Sequence, residues 1–191
     1  MISGNKLKTI TSRVTLMLGT LLLLGCNQEI SISSKYISDG FDFPVGKPYA
    51  KGYYDAQPYG KNNHLGSDWN GKGGGNSDLG DNIYSVSNGY VKSAKNIGGD
   101  WGNVIRIIHK LPNGKTYESI YAHCNEIAVK PKSWVKRGQR IGTIGSNKGM
   151  YYAHLHFEIR NEINMRIGRG YSYITWGYLN PTKFIKSHRK L

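Results

Sequence analysis

The sequence predicts an all-β domain built on an antiparallel sheet. Runs in which apolar and polar residues alternate occur at 82–96, 102–124, 133–145 and 152–160, and a period of two is typical of half-buried strands. The turn signals "SNG" and "PNG" interrupt these runs, and the chain contains 25 glycines and six prolines, which favour short strands and tight turns. No long stretch after residue 40 repeats every 3.6 residues, so extensive helix is not expected.

The first 25 residues have the pattern of an export signal and are set aside from the fold. Lys6, Lys8 and Arg13 precede the apolar stretch "VTLMLGTLLLLG", residues 14–25. Twelve apolar residues suit the central region of a signal peptide and fall short of the roughly 20 that a membrane-spanning helix needs. The stretch ends in "LLGC", which resembles a bacterial lipobox, with Cys26 as the residue to be lipidated.

That resemblance implies cleavage before Cys26 and a lipid anchor on its sulfur. An ordinary signal peptide, or a buried cysteine that follows leucines by chance, would be the alternatives. Asn27 after the cysteine favours the outer membrane, facing the periplasm, over the inner membrane. The polar residues 26–40 are predicted to link the anchor to a domain at 41–186, followed by a basic tail at 187–191.

Charge and cysteine content restrict the partners and the source of stability. Removing residues 1–25 takes away three of the 26 basic residues and none of the 12 acidic ones, so the net charge becomes +11. Such a surface attracts anionic polymers, and export argues for the cell wall or lipid head groups and against nucleic acid. Only Cys124 remains beside Cys26, so no disulfide framework is expected.

The stretch "YAHLHFEIR", residues 152–160, places two histidines on one face of a predicted strand. Alternation puts His154, His156 and Glu158 on the same side, with apolar residues on the other. We interpret Glu158 as a salt-bridge residue rather than as a partner of the histidines. A polar, solvated strand face would be the ordinary explanation of one such pair, and it weakens when matching residues occur elsewhere.

Matching residues occur in the turn-rich stretch "NHLGSDWNG". His64 and Asp68 are four apart, and a bend at Gly66 could bring both onto one ion. With one histidine of the 154/156 pair they form a His, Asp, His set. Three protein ligands and an open position are typical of a catalytic zinc site, and two imidazoles favour zinc over calcium or magnesium.

A third histidine-bearing strand is predicted at 116–124, "TYESIYAHC". Alternation assigns one face to the following side chains: Tyr117, Ser119, Tyr121 and His123. Cys124 would point the other way, with Ile120 and Ala122, and we expect it to be a small buried core residue. His123 would then share a groove with His154.

Three ordered motifs resemble one family. H-x-x-x-D (His64, Asp68), Y-A-H (121–123) and H-L-H-F-E (154–158), in this order, resemble the lysostaphin-like, or LytM-type, zinc metallopeptidases. The stretches "GNVIRIIHK", "VKRGQRIGTIGSNKG" and "NPTKF" are also similar to that family, and the similarity covers about residues 41–161.

The resemblance implies an antiparallel β fold, a sheet or sandwich of the LytM type, with an open substrate groove. It also implies one Zn²⁺ per chain, bound by His64, Asp68 and His156, with His123 and His154 as catalytic residues beside the zinc water. Histidine titrates near neutral pH, so these two suit the transfer of a proton from the attacking water and to the leaving amine. Which of them does which stays open.

Two stretches depart from the family pattern. Members often carry an aromatic-Gly-x-Arg element before the first ligand, whereas "YGKNNH" keeps Tyr59 and Gly60 without the arginine. Tyr59 is therefore a weaker candidate for substrate binding at the oxyanion. Residues 165–178, "MRIGRGYSYITWGY", resemble an insertion whose tyrosines and Trp176 would pack on the core or line the groove.

The expected function follows from the resemblance. It implies a zinc-dependent endopeptidase that cuts peptide cross-links of bacterial peptidoglycan, and the lipobox favours D-alanyl-diaminopimelate over oligoglycine. A catalytically silent or regulated envelope adaptor that activates other wall hydrolases is the alternative, with regulatory envelope proteins as partners. A metal-sequestering lipoprotein would instead need a closed site with four ligands.

Overall fold

The computed structural model describes residue 1 and residues 34–191. Residues 34–191 contain ten strands: β1 (Tyr53–Gln57), β2 (Ser67–Gly71), β3 (Asn82–Tyr84), β4 (Gly89–Asn96), β5 (Asn103–Lys110), β6 (Thr116–Cys124), β7 (Trp134–Val135), β8 (Arg140–Thr143), β9 (Leu155–Arg160) and β10 (Tyr178–Leu179). The helical elements are α1 (Pro181–Ser187) and short turns at Ser34–Tyr36, Gly46–Ala50, Lys61–Asn63 and Gly99–Trp101.

Most strands join one antiparallel sheet. Its order is β1-β2-β9-β6-β5-β4-β7, β10 pairs with β9 beside this path, and β3 and β8 form a separate two-stranded sheet. All strand pairs among these elements are antiparallel. The prediction of an all-β antiparallel fold is confirmed. None of the helices in residues 34–191 has the length and hydrophobicity that crossing a bilayer requires.

The main core lies against one face of the large sheet. On β9 the predicted alternation holds, because Leu155, Phe157 and Ile159 are fully buried in this core. Helix α1 closes the core with Phe184 and Ile185. The helix begins where Asn180 accepts a hydrogen bond from the Lys183 amide at 2.9 Å, a typical N-cap.

On β6 the predicted alternation holds from Tyr117 to Ala122 and fails at His123 and Cys124. Tyr121 is fully buried in the main core, whereas Ile120 and Ala122 lie in a second cluster on the opposite face. His123 has a φ of +59°, and the β5–β6 register shifts beside it. This bulge turns His123 away from the Tyr121 face, onto which strict alternation would have placed it.

Cys124 is buried as predicted, but it belongs to the core that contains Tyr121. Burial raises the pKa of its thiol to about 12. The thiol is therefore protonated at neutral pH and chemically inert.

The predicted insertion lies across the sheet face that carries His156. We name residues 161–177, which include most of the predicted insertion at 165–178, the cover segment. Its backbone carbonyls accept hydrogen bonds from buried or half-buried side chains of the sheet: Arg106 Nη2 to Met165 O at 2.9 Å and Arg160 Nη1 to Arg166 O at 3.2 Å. The part of this face next to Arg160 is thus covered, and a cleft remains open next to His156.

The ends of the described chain contact the domain. Ser38 is buried and its amide donates to the Lys110 carbonyl at 2.8 Å. Arg189 lies 2.8 Å from the Asp42 carboxylate. The predicted boundaries at 40/41 and 186/187 therefore fall inside segments that contact the rest of the domain. The predicted signal peptide after Met1, the lipidation site Cys26 and the first part of the linker lie outside the described residues.

Buried His109 makes folding sensitive to acid. Its ring nitrogens lie 2.8 Å from the Asn88 carbonyl and 2.7 Å from the Ser119 hydroxyl, and burial lowers its pKa from 6.5 to about 4. Between pH 6.5 and 4 the unfolded chain binds a proton here that the folded chain does not, so stability falls as the pH is lowered. At about 1.4 kcal/mol per pKa unit, the loss reaches about 3 kcal/mol.

We expect His109→Gln to flatten the dependence of unfolding free energy on pH. Urea unfolding of both proteins at several pH values between about 7 and 4 measures the two slopes. An identical slope in the variant would show that His109 does not carry this sensitivity, whatever the absolute stability of the variant.

Candidate active site

A cleft of about 720 Å³ opens on the His156 face of the sheet. The turn Gly99–Trp101 and the cover segment form its walls. Asp68, His123, His154 and His156 all line it, and His64 is buried directly behind His156, with their rings 4.9 Å apart. The structure therefore brings together the five residues predicted for metal binding and catalysis.

Three side-chain atoms in this cleft are arranged as a set of metal ligands. His64 Nε2 lies 3.0 Å from His156 Nδ1, which lies 2.9 Å from Asp68 Oδ1, and the third side of this triangle is 3.3 Å. These three residues form a group that could hold a metal ion. Tetrahedral zinc with bonds of about 2.0 Å requires ligand atoms roughly 3.3 Å apart, so the donor set fits zinc.

The backbone explains why the three atoms meet. Asp68 on β2 and His156 on β9 face each other in register. His64 precedes β2, and the chain returns through Gly66 close to β9. A Cβ at Gly66 would lie 2.7 Å from the Phe157 carbonyl and 2.9 Å from His156 Cε1, so only glycine permits this approach.

A second layer of residues fixes the orientation of both imidazoles. The Nδ1 atom of His64 lies 2.9 Å from the Gln57 carbonyl, to which it can donate, so that Nε2 is left to bind an ion. His156 Nε2 lies 3.0 Å from Glu158 Oε1, and Arg160 Nε donates to the other Glu158 oxygen at 2.8 Å. Glu158 is thus both a salt-bridge residue and a partner of a histidine, which corrects the narrower interpretation from the sequence.

The electrostatics of this group favour positive charge. Burial alone would lower the pKa of His156, but its contacts with Asp68 and Glu158 outweigh burial and raise that pKa to about 9. Burial alone would raise the pKa of Asp68, but its contacts with His156 and His64 hold that pKa well below its usual range. A divalent cation at the three donor atoms would supply the charge that two buried carboxylates favour.

Glu158 can be tested apart from the three candidate ligands. We expect Glu158→Gln to weaken zinc binding about 10- to 100-fold, because the amide does not hold His156 as the carboxylate does. Competition with a chromogenic chelator measures the affinity. Glu126→Gln is the matched control, since Glu126 pairs with Arg140 on the surface. Unchanged affinity in a folded Glu158→Gln protein would exclude this role.

His123 and His154 form a pair next to the three candidate ligands. Their rings are 4.8 Å apart, and the His123 ring is 5.9 Å from that of His156. His154 precedes β9, where its Nδ1 lies 2.9 Å from the Tyr152 carbonyl. Burial and the neighbouring His154 and His156 lower the pKa of His123 to about 3, and its buried Nδ1 has no hydrogen-bond partner among the described residues.

The predicted aromatic residue is not in the cleft. Tyr59 donates its hydroxyl hydrogen bond to the Tyr178 carbonyl at 3.3 Å and does not line the cleft. Tyr171 of the cover segment lies there instead, with its ring 5.1 Å from the His64 ring and its hydroxyl accepting from Gln57 Nε2 at 3.0 Å. The tyrosines and Trp176 of the insertion were expected to pack on the core or to line the groove. Tyr171 does line the groove. Trp176 is 68% exposed, so it is not packed on the core.

Trp101 was not identified from the sequence. Its ring lies at 83° to the His156 ring, with centroids 5.2 Å apart, and 6.3 Å from the His123 ring. The indole N–H donates to the Gly168 carbonyl at 2.9 Å. Trp101 therefore joins the two walls of the cleft beside the candidate ligands. A tryptophan in a glycine-rich turn was the only signal of this role.

Curated relatives match the part of the chain that carries these residues. Lipoprotein NlpD of Yersinia enterocolitica is 41% identical over 78 residues, 41% of this chain and 75% of that protein. Murein hydrolase activator NlpD of Escherichia coli is 40% identical over 78 residues. Peptidoglycan DD-endopeptidase ShyA of Vibrio cholerae is 36% identical over 81 residues. The match to the Escherichia coli protein covers 41% of this chain and 19% of that protein. The match to the Vibrio cholerae protein covers 42% of this chain and 18% of that protein.

Solved structures share the fold. Lysostaphin from Staphylococcus simulans superposes with a TM-score of 0.54 at 24% identity, over 81% of this chain and 55% of that one. Csd3 of Helicobacter pylori gives a TM-score of 0.52 at 26% identity, over 79% of this chain and 35% of that one. The family model described as "Peptidase family M23" matches residues 62–167, which is more than half of the sequence. The chain therefore belongs to peptidase family M23.

Proposed function

We propose that this protein is a zinc-dependent endopeptidase that hydrolyses the peptide cross-links of bacterial peptidoglycan, at the D-alanyl-diaminopimelate bond. The observation that carries the proposal is the joint presence, at one open cleft, of three candidate metal-ligand atoms and two further histidines. The name of the Vibrio relative, a peptidoglycan DD-endopeptidase, adds support.

The side chains divide into a metal-holding set and a proton-transferring set. His64, Asp68 and His156 would hold one Zn²⁺ per chain, and zinc bound there would polarise the scissile carbonyl and lower the pKa of water towards about 7. His123 and His154 line the cleft beside the candidate ligands, where one can accept the proton of the attacking water and the other can protonate the leaving amine.

Tyr171 takes the role that the sequence suggested for Tyr59. Its hydroxyl accepts a hydrogen bond from Gln57, which leaves its own proton free to donate to an oxygen of the substrate. Burial raises the pKa of this hydroxyl, so the proton stays in place at neutral pH. Such a donor stabilises the negative charge that develops on the carbonyl oxygen.

The cellular location is part of the proposal. The lipobox-like "LLGC" ending at Cys26 and the identity to a protein named lipoprotein NlpD support a lipid-anchored position in the cell envelope. An anchor on Cys26, which precedes His64 by 38 residues, would hold the cleft near the membrane. The basic surface would attract the anionic wall polymer.

A second function is supported by the names of the relatives. The proteins of Escherichia coli and Salmonella typhimurium that share 40% identity with residues of this chain are named murein hydrolase activator NlpD. An activator that works by binding another hydrolase needs no metal-ligand set. The complete set of candidate metal ligands therefore favours an endopeptidase. The 40% sequence identity to proteins named murein hydrolase activators favours an activator.

Purified peptidoglycan sacculi separate the two functions. The chain from residue 27, loaded with zinc, is incubated with sacculi, and the released muropeptides are identified by mass spectrometry. Loss of cross-linked dimers, abolished by a chelator and restored by zinc, is expected for the endopeptidase. Intact dimers together with faster cleavage by an added wall hydrolase would contradict the endopeptidase and establish the activator.

A further inference from the structure

Arg169 lies at the lip of the cleft on a backbone that is fixed on both sides. The carbonyl of Gly168, the residue before it, accepts from Trp101 Nε1 at 2.9 Å. The carbonyl of Gly170, the residue after it, accepts from the Leu65 amide at 2.9 Å. These bonds tie the backbone on either side of Arg169 to Trp101 and to Leu65, so this backbone needs little further ordering when a ligand binds.

The same backbone runs against a candidate metal ligand. A Cβ at Gly170 would lie 3.7 Å from His156 Cε1 and 3.8 Å from the Trp101 ring. Arg169 is the adjacent residue, is exposed and lines the cleft. Its guanidinium is therefore available to a substrate group that lies close to the reacting amide.

This guanidinium has no carboxylate partner in the described part of the chain. Within residues 34–191, the side chain of Arg169 takes part in none of the ion pairs within 4.0 Å. Five other arginines there do pair with carboxylates: Arg106, Arg137, Arg140, Arg160 and Arg189. Asp100, next to Trp101 on the other wall, also lines the cleft and is likewise unpaired within that range. The lip thus presents one cation and one anion to the substrate.

We propose that Arg169 binds a carboxylate that the substrate carries beside the scissile amide, and so selects diaminopimelate-type cross-links; this inference rests on the proposed function. When the amide nitrogen belongs to diaminopimelate, the carbon that bears it also bears a carboxylate. A lysine cross-link lacks this group, and an oligoglycine bridge has no charged side chain at all. A planar guanidinium binds a carboxylate through two parallel hydrogen bonds.

Three synthetic cross-linked peptides test the selection. They share the D-alanyl donor and differ only at the acceptor: diaminopimelate, its carboxamide, or lysine. We expect wild type to cut the carboxylate peptide with a kcat/KM about 10- to 100-fold above the other two, the range for one charge-assisted contact. Arg169→Gln should reduce this preference to less than about threefold by slowing cleavage of the carboxylate peptide alone.

A matched variant serves as the control for this test. Arg166→Gln, in the same segment but outside the cleft lining, should retain the preference. A preference that persists in Arg169→Gln, or that is absent in a wild type that cuts all three peptides, overturns the inference.

A binding measurement separates this inference from the proposed function. If wild type cuts none of the peptides, the proposed function is contradicted, but the role of Arg169 can still be tested. Calorimetry then compares the affinity of the three uncut peptides for His154→Ala with and without Arg169→Gln. Tighter binding of the carboxylate peptide that is lost with Arg169→Gln supports the inference, and equal binding of all three overturns it.

Discussion

Replacing His156 by alanine is expected to abolish zinc binding and to reduce cleavage of cross-linked muropeptides by about a thousandfold or more. Nδ1 of His156 lies within 3.0 Å of the candidate ligand atoms of both His64 and Asp68. Its loss leaves two donor atoms, too few for a stable zinc site. It also removes the partner of two buried carboxylates, so we expect a lower melting temperature as well.

Metal analysis and muropeptide release measure the two parts of this prediction. Zinc per chain should fall from one to below about 0.1. His188→Ala is the control, because His188 lies at the end of α1, outside the cleft. A folded His156→Ala protein that still holds one zinc would show that the ligands are other residues.

Replacing His154 by alanine should give a different phenotype, in which one zinc per chain is kept but cleavage slows by about 10²- to 10⁴-fold. His154 lines the cleft and contacts the ring of His123, but it does not belong to the group of candidate ligand atoms. Its removal should therefore affect proton transfer alone. The pair of measurements, zinc content and rate, distinguishes this residue from His156.

The neighbouring Tyr152 provides the control for this second variant. Tyr152 is 74% exposed, and Tyr152→Ala should leave both zinc content and rate near those of wild type. Loss of zinc from His154→Ala would assign His154 to the metal site. A wild-type rate would remove it from the mechanism.

The sequence predicts those parts of the site that depend on regular strand geometry. His156 and Glu158 share a face of β9 because side chains alternate along an undistorted strand. The return of the chain at Gly66 was predictable because glycine between two candidate ligands indicates a close approach. The fold class and the approach of His64 and Asp68 to the 154/156 pair follow from such local patterns, whereas the choice of His156 as the ligand came from the resemblance to the lysostaphin-like family.

The remaining features depend on contacts that local patterns do not encode. His123 reaches the cleft only through a bulge, because strict alternation would have placed it on the face of Tyr117 and Tyr121, which packs in the core. Tyr171 and Arg169 come from a segment without regular structure, whose path is set by hydrogen bonds to distant strands. No periodicity in residues 161–177 reveals these contacts.

The backbone at His123 has a consequence for how selection acts on this chain. Eight non-glycine residues of 34–191 have a positive φ, four of them asparagines, the residue type that accepts this conformation at low cost. Histidine, like asparagine, occurs more often than most residues in this conformation, but at a φ of +59° it still costs folding energy that glycine would partly recover. Selection for stability alone would replace it, so the imidazole marks a position where chemistry and folding make opposing demands.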